Sequence, residues 1–527
     1  MAEVNGSTPT GYQDEPLPEN YPTMVQKYTS CRWRLGYMVT LGIVSVQCLK
    51  NCMSFAIVCM TRGVTLDKGE HSNLSNAGTN DTSPFSDSGS RERLNYSVAG
   101  EVTTAEFDYS SEMEGLLISS TYYVGVISPI FGSLASRRFG AKRVILASVV
   151  LGGVATIAIP AAARSHAYLA VLCRVALGFA VNSVMPVSVD VWLYWAPIHE
   201  KAQLVTYTFT GYNIANIVTF FICGYLCLIP VDNGWPFIFY VFGGYAIIWG
   251  LMWMYLAYDK PEMHPNITHF EKMYILQHRT NVDLDLKRKH VPWKDMFRSK
   301  PVWAFLIVMF LHTCNSSFFS SYLPLYMATA LNFDVEENGV LSSMPYVTRV
   351  LGTLAWSNVS LLLMKRLSVT HTRKLTQTIG FAVSTALTIG LCFVGDGQEY
   401  IAVAIIALAM PFQSVTAAAS LVSPVDIAPQ FASYIAALGE GLSFAAYSIA
   451  PLSVSYIVPD RTREQWSVFF FISAGIYVVA AVVFIIFGSG KIQPWADNSA
   501  EEHTAEPTKK CEINKAYIKD IDELKSN

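Results

Sequence analysis

Long apolar runs alternate with short polar breaks along most of the chain. A helix needs about 20 predominantly apolar residues to cross the hydrocarbon core of a bilayer. Runs of that kind fall near 36–60, 113–135, 143–163, 167–189, 203–229 and 236–257, and again near 301–327, 338–363, 375–395, 400–423, 431–457 and 466–488. The polar stretch 258–300 separates the two sets. The pattern predicts an all-α membrane protein of about 12 transmembrane helices in two six-helix halves, 36–257 and 301–490, with polar tails at 1–35 and 491–527.

Short loops set the orientation, because cytosolic loops carry an excess of Lys and Arg. Lys27, Arg32 and Arg34, then Arg137, Arg138, Lys142 and Arg143, then the run LKRKH, then Lys365, Arg366, Arg373 and Lys374 all fall on one side. That side is expected to be cytosolic and to hold both tails and the central loop. The opposite side receives residues 61–111, rich in Ser, Thr, Asn and Gly, with glycosylation sequons at Asn73, Asn80 and Asn95. Glycans are expected on those three in a luminal or extracellular loop. The sequons at Asn266 and Asn315 fall on the cytosolic side or inside a span and are expected to stay bare. The first 30 residues are polar. No cleavable signal peptide is expected there, so the first transmembrane helix would direct insertion.

Each half repeats one local feature. The fourth run exits into YWAPIHE and the tenth into VDIAPQF, so an Ala-Pro pair stands at the cytosolic end of the fourth helix of either half. Repeated bundles flanking a midplane cavity are the architecture of many secondary transporters.

Composition agrees with a membrane chain: 52% of the 527 residues are hydrophobic and 15% charged. A net charge of -3 with dispersed Lys and Arg argues against a nucleic-acid partner. Most of the ten cysteines sit inside spans and the long outer loop holds none. They are expected to be small core residues rather than a disulfide framework. There is no phosphate-cradling GxxxxGK[ST], no metal-spaced His/Glu pair and no Cys/His or Ser/His arrangement. The reading is therefore neither an enzyme nor an ATP-driven pump, with no cofactor beyond a possible coupling ion, Na+ or H+.

Charge inside the runs is the sharpest chemical signal, because a charge at membrane depth costs several kcal/mol unless it faces a cavity or a partner. Lys50 stands in VQCLKNCMSFAIVCM, Arg174 in VLCRVALGF, Arg349 in PYVTRVLG and Glu440 in AALGEGLSF. Three cations against one carboxylate make the inner zone net positive, which favours an anion over a cation. Lys50 either pins helices through an acid or meets a substrate. Glu440, about 14 Å deep in the eleventh helix, is either a coupling carboxylate or a fixed partner of Arg349 or Lys50. Asp190 lies about 24 Å along the helix from Arg174, so it is a candidate for the cytosolic gate rather than a partner of Arg174; helix-end solvation is its plain alternative. Tyr122, Asn213, His312 and Asn315 are the neutral polar residues at depth, and His312 could carry a proton near neutral pH if exposed.

The loop after the second run, GSLASRRFGAKRV, resembles the loop motif of the major facilitator superfamily through Gly132, Leu134, Ala135, Arg137, Gly140 and Lys142. In that family glycine permits close helix approach and basic residues latch the cytosolic gate. Ser136 replaces the usual acid. Further stretches, VPWKDMFRSKPVWAF, FDVEENGVLSSMPY, DIAPQFA and GSGKIQPWA, resemble the solute carrier 17 family of organic-anion and phosphate transporters, over about Cys31 to Ala496. The resemblance implies a substrate contact for Lys50, where the family commonly has arginine, and for Arg174 and Tyr122. Lysine keeps the charge but loses the bidentate fork. Arg349 joins the substrate set on charge alone. The family's fourth-helix acids are missing from RVALGFAVNSVMP, which leaves Glu440 and His312 as coupling candidates, and Ser423 and Pro424 stand where the family often has Asn and His.

Two readings from different classes follow. One is a secondary active transporter of small anions, working by alternating access and coupled to an ion. The other is a transport-inactive relative acting as a membrane sensor or interaction protein. Either is a multi-pass protein of the plasma membrane or of a lysosomal or vesicular membrane.

Overall fold

A computed structural model describes residues 23–62, 64–65, 102–103, 105–278, 291–395, 397–420 and 422–496. Asn73, Asn80 and Asn95 lie outside the described residues. Among the described residues, each predicted run falls mainly on helix. The first half comprises α1 (Cys31–Arg62), α2 (Ser111–Phe139), α3 (Ala141–Ser165), α4 (Ala167–Trp195), α5 (Ile198–Leu226) and α6 (Trp235–Leu256). The second comprises α7 (Lys300–Thr329), α8 (Val335–Met364), α9 (Val369–Leu391), α10 (Glu399–Gln413, Val415–Ala418 and Ser423–Ile427), α11 (Ala432–Ile457) and α12 (Arg463–Phe487).

Among the described residues, ten of these are long and apolar enough to cross a membrane. The two that fall short of the expectation have physical reasons. α9 opens with His371, Arg373 and Lys374, which dilute its apolar character. α10 carries Pro411 and Pro424 and is broken into three pieces, since proline removes a helical donor and crowds the preceding turn.

Polar side chains start the helices where the sequence supplies them. The hydroxyls of Ser110, Ser368 and Thr462 accept from the amides of Met113, His371 and Gln465 at the first turns of α2, α9 and α12. The repeated Ala-Pro pairs end helices in both halves. Ala196 sits at φ -98°, ψ 120° and Ala428 at φ -154°, ψ 74°, because the residue before proline is pushed out of the α region.

Within the first half α1 packs on α5, and α3 on α4 and α6; within the second, α7 packs on α11, α9 on α12 and α8 on α10. The halves meet through α5 on α8, α2 on α11 and α1 on α7. At the end of the bundle where α1 leads into residues 61–111, the halves are fastened. Arg461 forms an ion pair with the buried Glu114, and the Ser111 hydroxyl donates to the Pro459 carbonyl at 2.7 Å.

One expectation needs correction. Cys59 and Cys227 are joined in a disulfide, with Cα atoms 6.2 Å apart, that ties the end of α1 to the end of α5. The remaining described cysteines are free. Arg32, counted among the loop cations, is fully buried. Its guanidinium meets Glu200 at 2.9 Å and Glu271 at 3.3 Å, and Glu271 also accepts the amides of Cys31 and Arg32 at 3.0 Å. The helix His269–His278 of the central loop is thereby docked on the start of α1. A buried charge must be paired, and among the described residues two carboxylates pair this one.

Candidate functional site

The charged residues at depth gather around a break in α2. α2 runs as α-helix to Ser119, tightens to a 3-10 turn over Ser120–Tyr122 and resumes at Ile127. A helix end leaves carbonyls without partners, and at membrane depth protein groups must supply them. α4 does so. Arg174 Nε donates to the Leu117 carbonyl at 3.0 Å and Nη2 to Ile118 at 3.2 Å, while Asn182 Nδ2 donates to Thr121 at 2.9 Å. Gly178 lies against the Thr121 carbonyl with no room for a side chain. The same guanidinium reaches the Lys50 carbonyl from Nη1 at 3.2 Å and from Nη2 at 3.3 Å. Arg174 thus spends four N–H···O contacts tying the α2 break to the middle of α1.

That tie fixes Lys50 and Tyr122 side by side. Lys50 is buried, with Nζ 5.7 Å from the Tyr122 ring centre and 5.8 Å from the Phe444 ring centre on α11. A cation over aromatic faces gains about 0.5–2 kcal/mol per ring, but among the described residues Lys50 has no carboxylate within 4.0 Å. The charge of Glu440, one turn before Phe444, acts on it. Glu440 is exposed although it sits deep in α11, so it opens onto the space between the halves. Tyr212 and Tyr447 also lie within reach of its charge.

The second half answers with a matching pair. Tyr447 stacks on Tyr122 with ring centres 4.8 Å apart and planes 18° apart. Arg349 on α8 is half-buried, its Nη1 donating to the Ser316 hydroxyl at 3.3 Å, and its charge reaches Tyr346 and Tyr447. Each half therefore brings a cation and a tyrosine to this junction: Lys50 beside the Tyr122 ring, and Arg349 within electrostatic reach of Tyr447. The buried Gln47 Oε1 and the Tyr346 hydroxyl, each about one turn from one of the cations, have no hydrogen-bond partner among the described residues.

His312 is placed apart from this pair of rings. It is buried, with Nδ1 3.5 Å from the Thr416 hydroxyl of α10 and its ring stacked on Phe381 of α9 at 6.3 Å. Arg349 is the cation whose charge acts on it. Asn315 is used for packing: its amide donates to the Ser473 carbonyl at 3.1 Å and accepts from the Ser473 hydroxyl at 2.8 Å.

The residues expected to form a gate lie at the opposite end from the Glu114–Arg461 pair. Gly132 abuts Ser183 of α4, and the Ser136 hydroxyl donates to Asp190 at 3.0 Å. Gly140 adopts φ 88°, a conformation that strains any side chain. Asp259 accepts the Lys142 amide at 2.8 Å, and Lys142 Nζ lies 4.6 Å over the Tyr258 ring. Arg137 is exposed and within electrostatic reach of Asp190. In the second half Arg373 pairs with Asp426 at 2.9 Å at the corresponding end of α9 and α10. Where the first half has a hydroxyl bond, the second has an ion pair.

Some of these residues carried no signal as candidates. Tyr447 and Phe444 read as ordinary aromatic residues in an apolar run, and Glu114 as an acid in the first turn of a helix, where the dipole favours it.

The sequence pattern described as Major Facilitator Superfamily matches residues 93–451. A relative from Caenorhabditis elegans, named as the uncharacterized transporter slc-17.2, is 30% identical over 502 residues, covering 94% of this chain and 98% of that one. A relative from Mus musculus, named as a probable small intestine urate exporter, is 29% identical and covers 92% and 97%. Among solved structures, a bacterial homologue of the human lysosomal transporter Spinster has the same fold, with a TM-score of 0.63 and 11% identity over 88% of this chain and 99% of that one.

Proposed function

The chain belongs to the major facilitator superfamily, in its solute carrier 17 branch, and is a multi-pass membrane transporter; within that class we propose that it carries a small anion, an organic carboxylate or phosphate, by ion-coupled alternating access. The observation that carries the reading is the pair of cations, one from each half, beside the stacked Tyr122 and Tyr447: Lys50 5.7 Å from the Tyr122 ring centre, and Arg349 within electrostatic reach of Tyr447. An anion held between them would bridge the two moving bodies, and its charge would offset the repulsion between two cations brought together at low dielectric.

Lys50 meets the anion from the first half and Arg349 from the second. Tyr122 and Tyr447 form the wall between them. Arg174 positions the site: with its donors committed to the carbonyls of Leu117, Ile118 and Lys50, it sets the place of Lys50 and of the α2 break rather than touching substrate. Glu440 is the coupling carboxylate, exchanging a proton or Na+ against the charge of Lys50 as the halves rock. His312 is the second candidate for that task.

With the basic loops on the cytosolic side, the Glu114–Arg461 fastening closes the outer end and the site opens inward. Gly132, Arg137, Gly140, Lys142 and Asp190 form the inner gate. The test is uptake of labelled organic carboxylates and of phosphate by the purified protein in vesicles, with the sodium and pH gradients imposed separately. Saturable uptake of an anion driven by one gradient supports the proposal. No uptake of any anion under either gradient would overturn it in favour of a transport-inactive membrane sensor.

A further inference from the structure

On the face of the first half, α2, α3 and α4 enclose an open groove of about 620 Å³ that the transport site does not use. Its walls are Phe131 and Phe139 of α2, Leu151 of α3 and Phe179 of α4, and each exposes roughly half or more of its surface, between 49% and 61%. Phe131 and Phe179 face each other with ring centres 6.1 Å apart. The floor is small: Gly132, Ala135, Ala147 and Ala176. Narrow, oily and floored by methyls, it has the shape of a channel for a hydrocarbon chain.

Charge and length identify the occupant. Arg143 lines one end of the groove and is exposed. Arg138, also exposed, holds its guanidinium 5.6 Å over the ring of Phe139 in the groove wall. Among the described residues neither arginine has an ion-pair partner. From Arg143 to Ala155 the lining residues of α3 span about 18 Å at 1.5 Å per residue, and one leaflet of the hydrocarbon core is about 15 Å deep. The groove therefore runs from headgroup level at its basic end to about the middle of the membrane.

We infer that this groove is a site for an anionic phospholipid of the leaflet at the basic end, with one acyl chain between Phe131, Leu151 and Phe179 and the phosphate at Arg138 and Arg143. A free phosphate would satisfy the arginines but leave the apolar channel unused. The floor is also the back of the gate loop: Gly132 meets Ser183 directly beneath it, one turn before the Ser136–Asp190 bond. An acyl chain seated there packs α2 against α4 and holds the loop in the arrangement seen here. The inference does not depend on which substrate the protein carries.

The test is lipid binding to the purified full chain in detergent, counted by native mass spectrometry during titration with phosphatidylglycerol or phosphatidylcholine. The first phosphatidylglycerol should bind several-fold more tightly than the first phosphatidylcholine. Each basic residue near a membrane surface contributes about a fivefold preference for anionic lipid, so Arg143→Gln should weaken phosphatidylglycerol by about that factor and leave phosphatidylcholine unchanged. Ala147→Trp, which fills the floor, should remove the first lipid of either kind. Equal affinity for the two lipids, wild-type binding in both variants, or displacement of phosphatidylglycerol by equimolar inorganic phosphate would overturn the inference.

Discussion

Tyr122 and Tyr447 stack across the boundary between the two halves, ring centres 4.8 Å apart and planes 18° apart. The pair joins α2 to α11 at the depth of Lys50 and can persist only while the halves are closed on each other at that level. An offset stack contributes about 0.5–1.5 kcal/mol beyond the area it buries. Tyr447→Ala should therefore weaken apparent affinity for the transported anion by roughly threefold to tenfold, whereas Tyr447→Phe should be nearly neutral because the ring is retained. Concentration dependence of uptake in vesicles distinguishes the two; equal loss in both variants would point to the hydroxyl instead.

Glu440 is exposed in a position surrounded by helices, and its charge acts on Lys50. Replacing it with Gln retains shape and hydrogen bonding but removes the charge that a coupling ion would neutralise. Uptake by Glu440→Gln should lose its dependence on the driving gradient while exchange of internal for external anion continues. Unchanged sodium and pH dependence would remove Glu440 from coupling.

The Glu114–Arg461 pair fastens the end opposite the gate loop, with side chains only 2% and 19% exposed. Removing one partner of a buried pair costs about 3–5 kcal/mol, and the partial exposure of Arg461 places this one at the lower end. Glu114→Gln should shift the population toward opening at that end. A cysteine introduced at Ser455, which contacts Gly115 across the same junction, should then react faster with a membrane-impermeant thiol reagent than it does with Glu114 intact. No change in labelling would mean that the other contacts at that end suffice.

At the same end Glu106 accepts from Arg164 at 2.7 Å, from Trp235 at 2.7 Å and from Asn233 at 3.2 Å. Burial alone pushes its carboxyl up, but the hydrogen bonds and the Arg164 charge together outweigh burial and hold it below the usual carboxylate range. A depressed carboxyl contributes stability that is complete above its unfolded value, near 4.3, and is lost as pH falls through the folded value. The melting temperature should drop on acidification below about pH 4, and Glu106→Gln should make that acid limb shallower. An acid limb identical to wild type would show that this network is not a source of the loss.

The hydropathy pattern carried the fold because every span must satisfy its backbone internally, which leaves few architectures. It also exposed Lys50, Arg174, Arg349 and Glu440, since charge in an apolar run is rare enough to mean something by itself. What each charge does was not legible. Arg174 and Lys50 look alike in sequence, yet Arg174 is committed to carbonyls freed by a helix break that no residue between Ser119 and Val126 announces with proline. The Cys59–Cys227 bond joins residues separated by 168 positions, and spacing does not encode such a pairing. Arg32 obeyed the loop-charge count while being wholly buried, because that count senses which side of the membrane a residue is on, not whether it is solvated.

Uptake by Lys50 variants tests the central claim most directly. Lys50→Ala and Lys50→Arg should be compared with wild type in vesicles containing equal amounts of folded protein, using the anion with the highest wild-type flux. If Lys50 is the first half's contact with the anion, Lys50→Ala should lose at least tenfold in uptake, about 1.4 kcal/mol, and Lys50→Arg should retain most of it because the charge is kept. Wild-type uptake by Lys50→Ala would contradict the account and leave the stacked tyrosines and Arg349 without the partner on which the bridging anion depends.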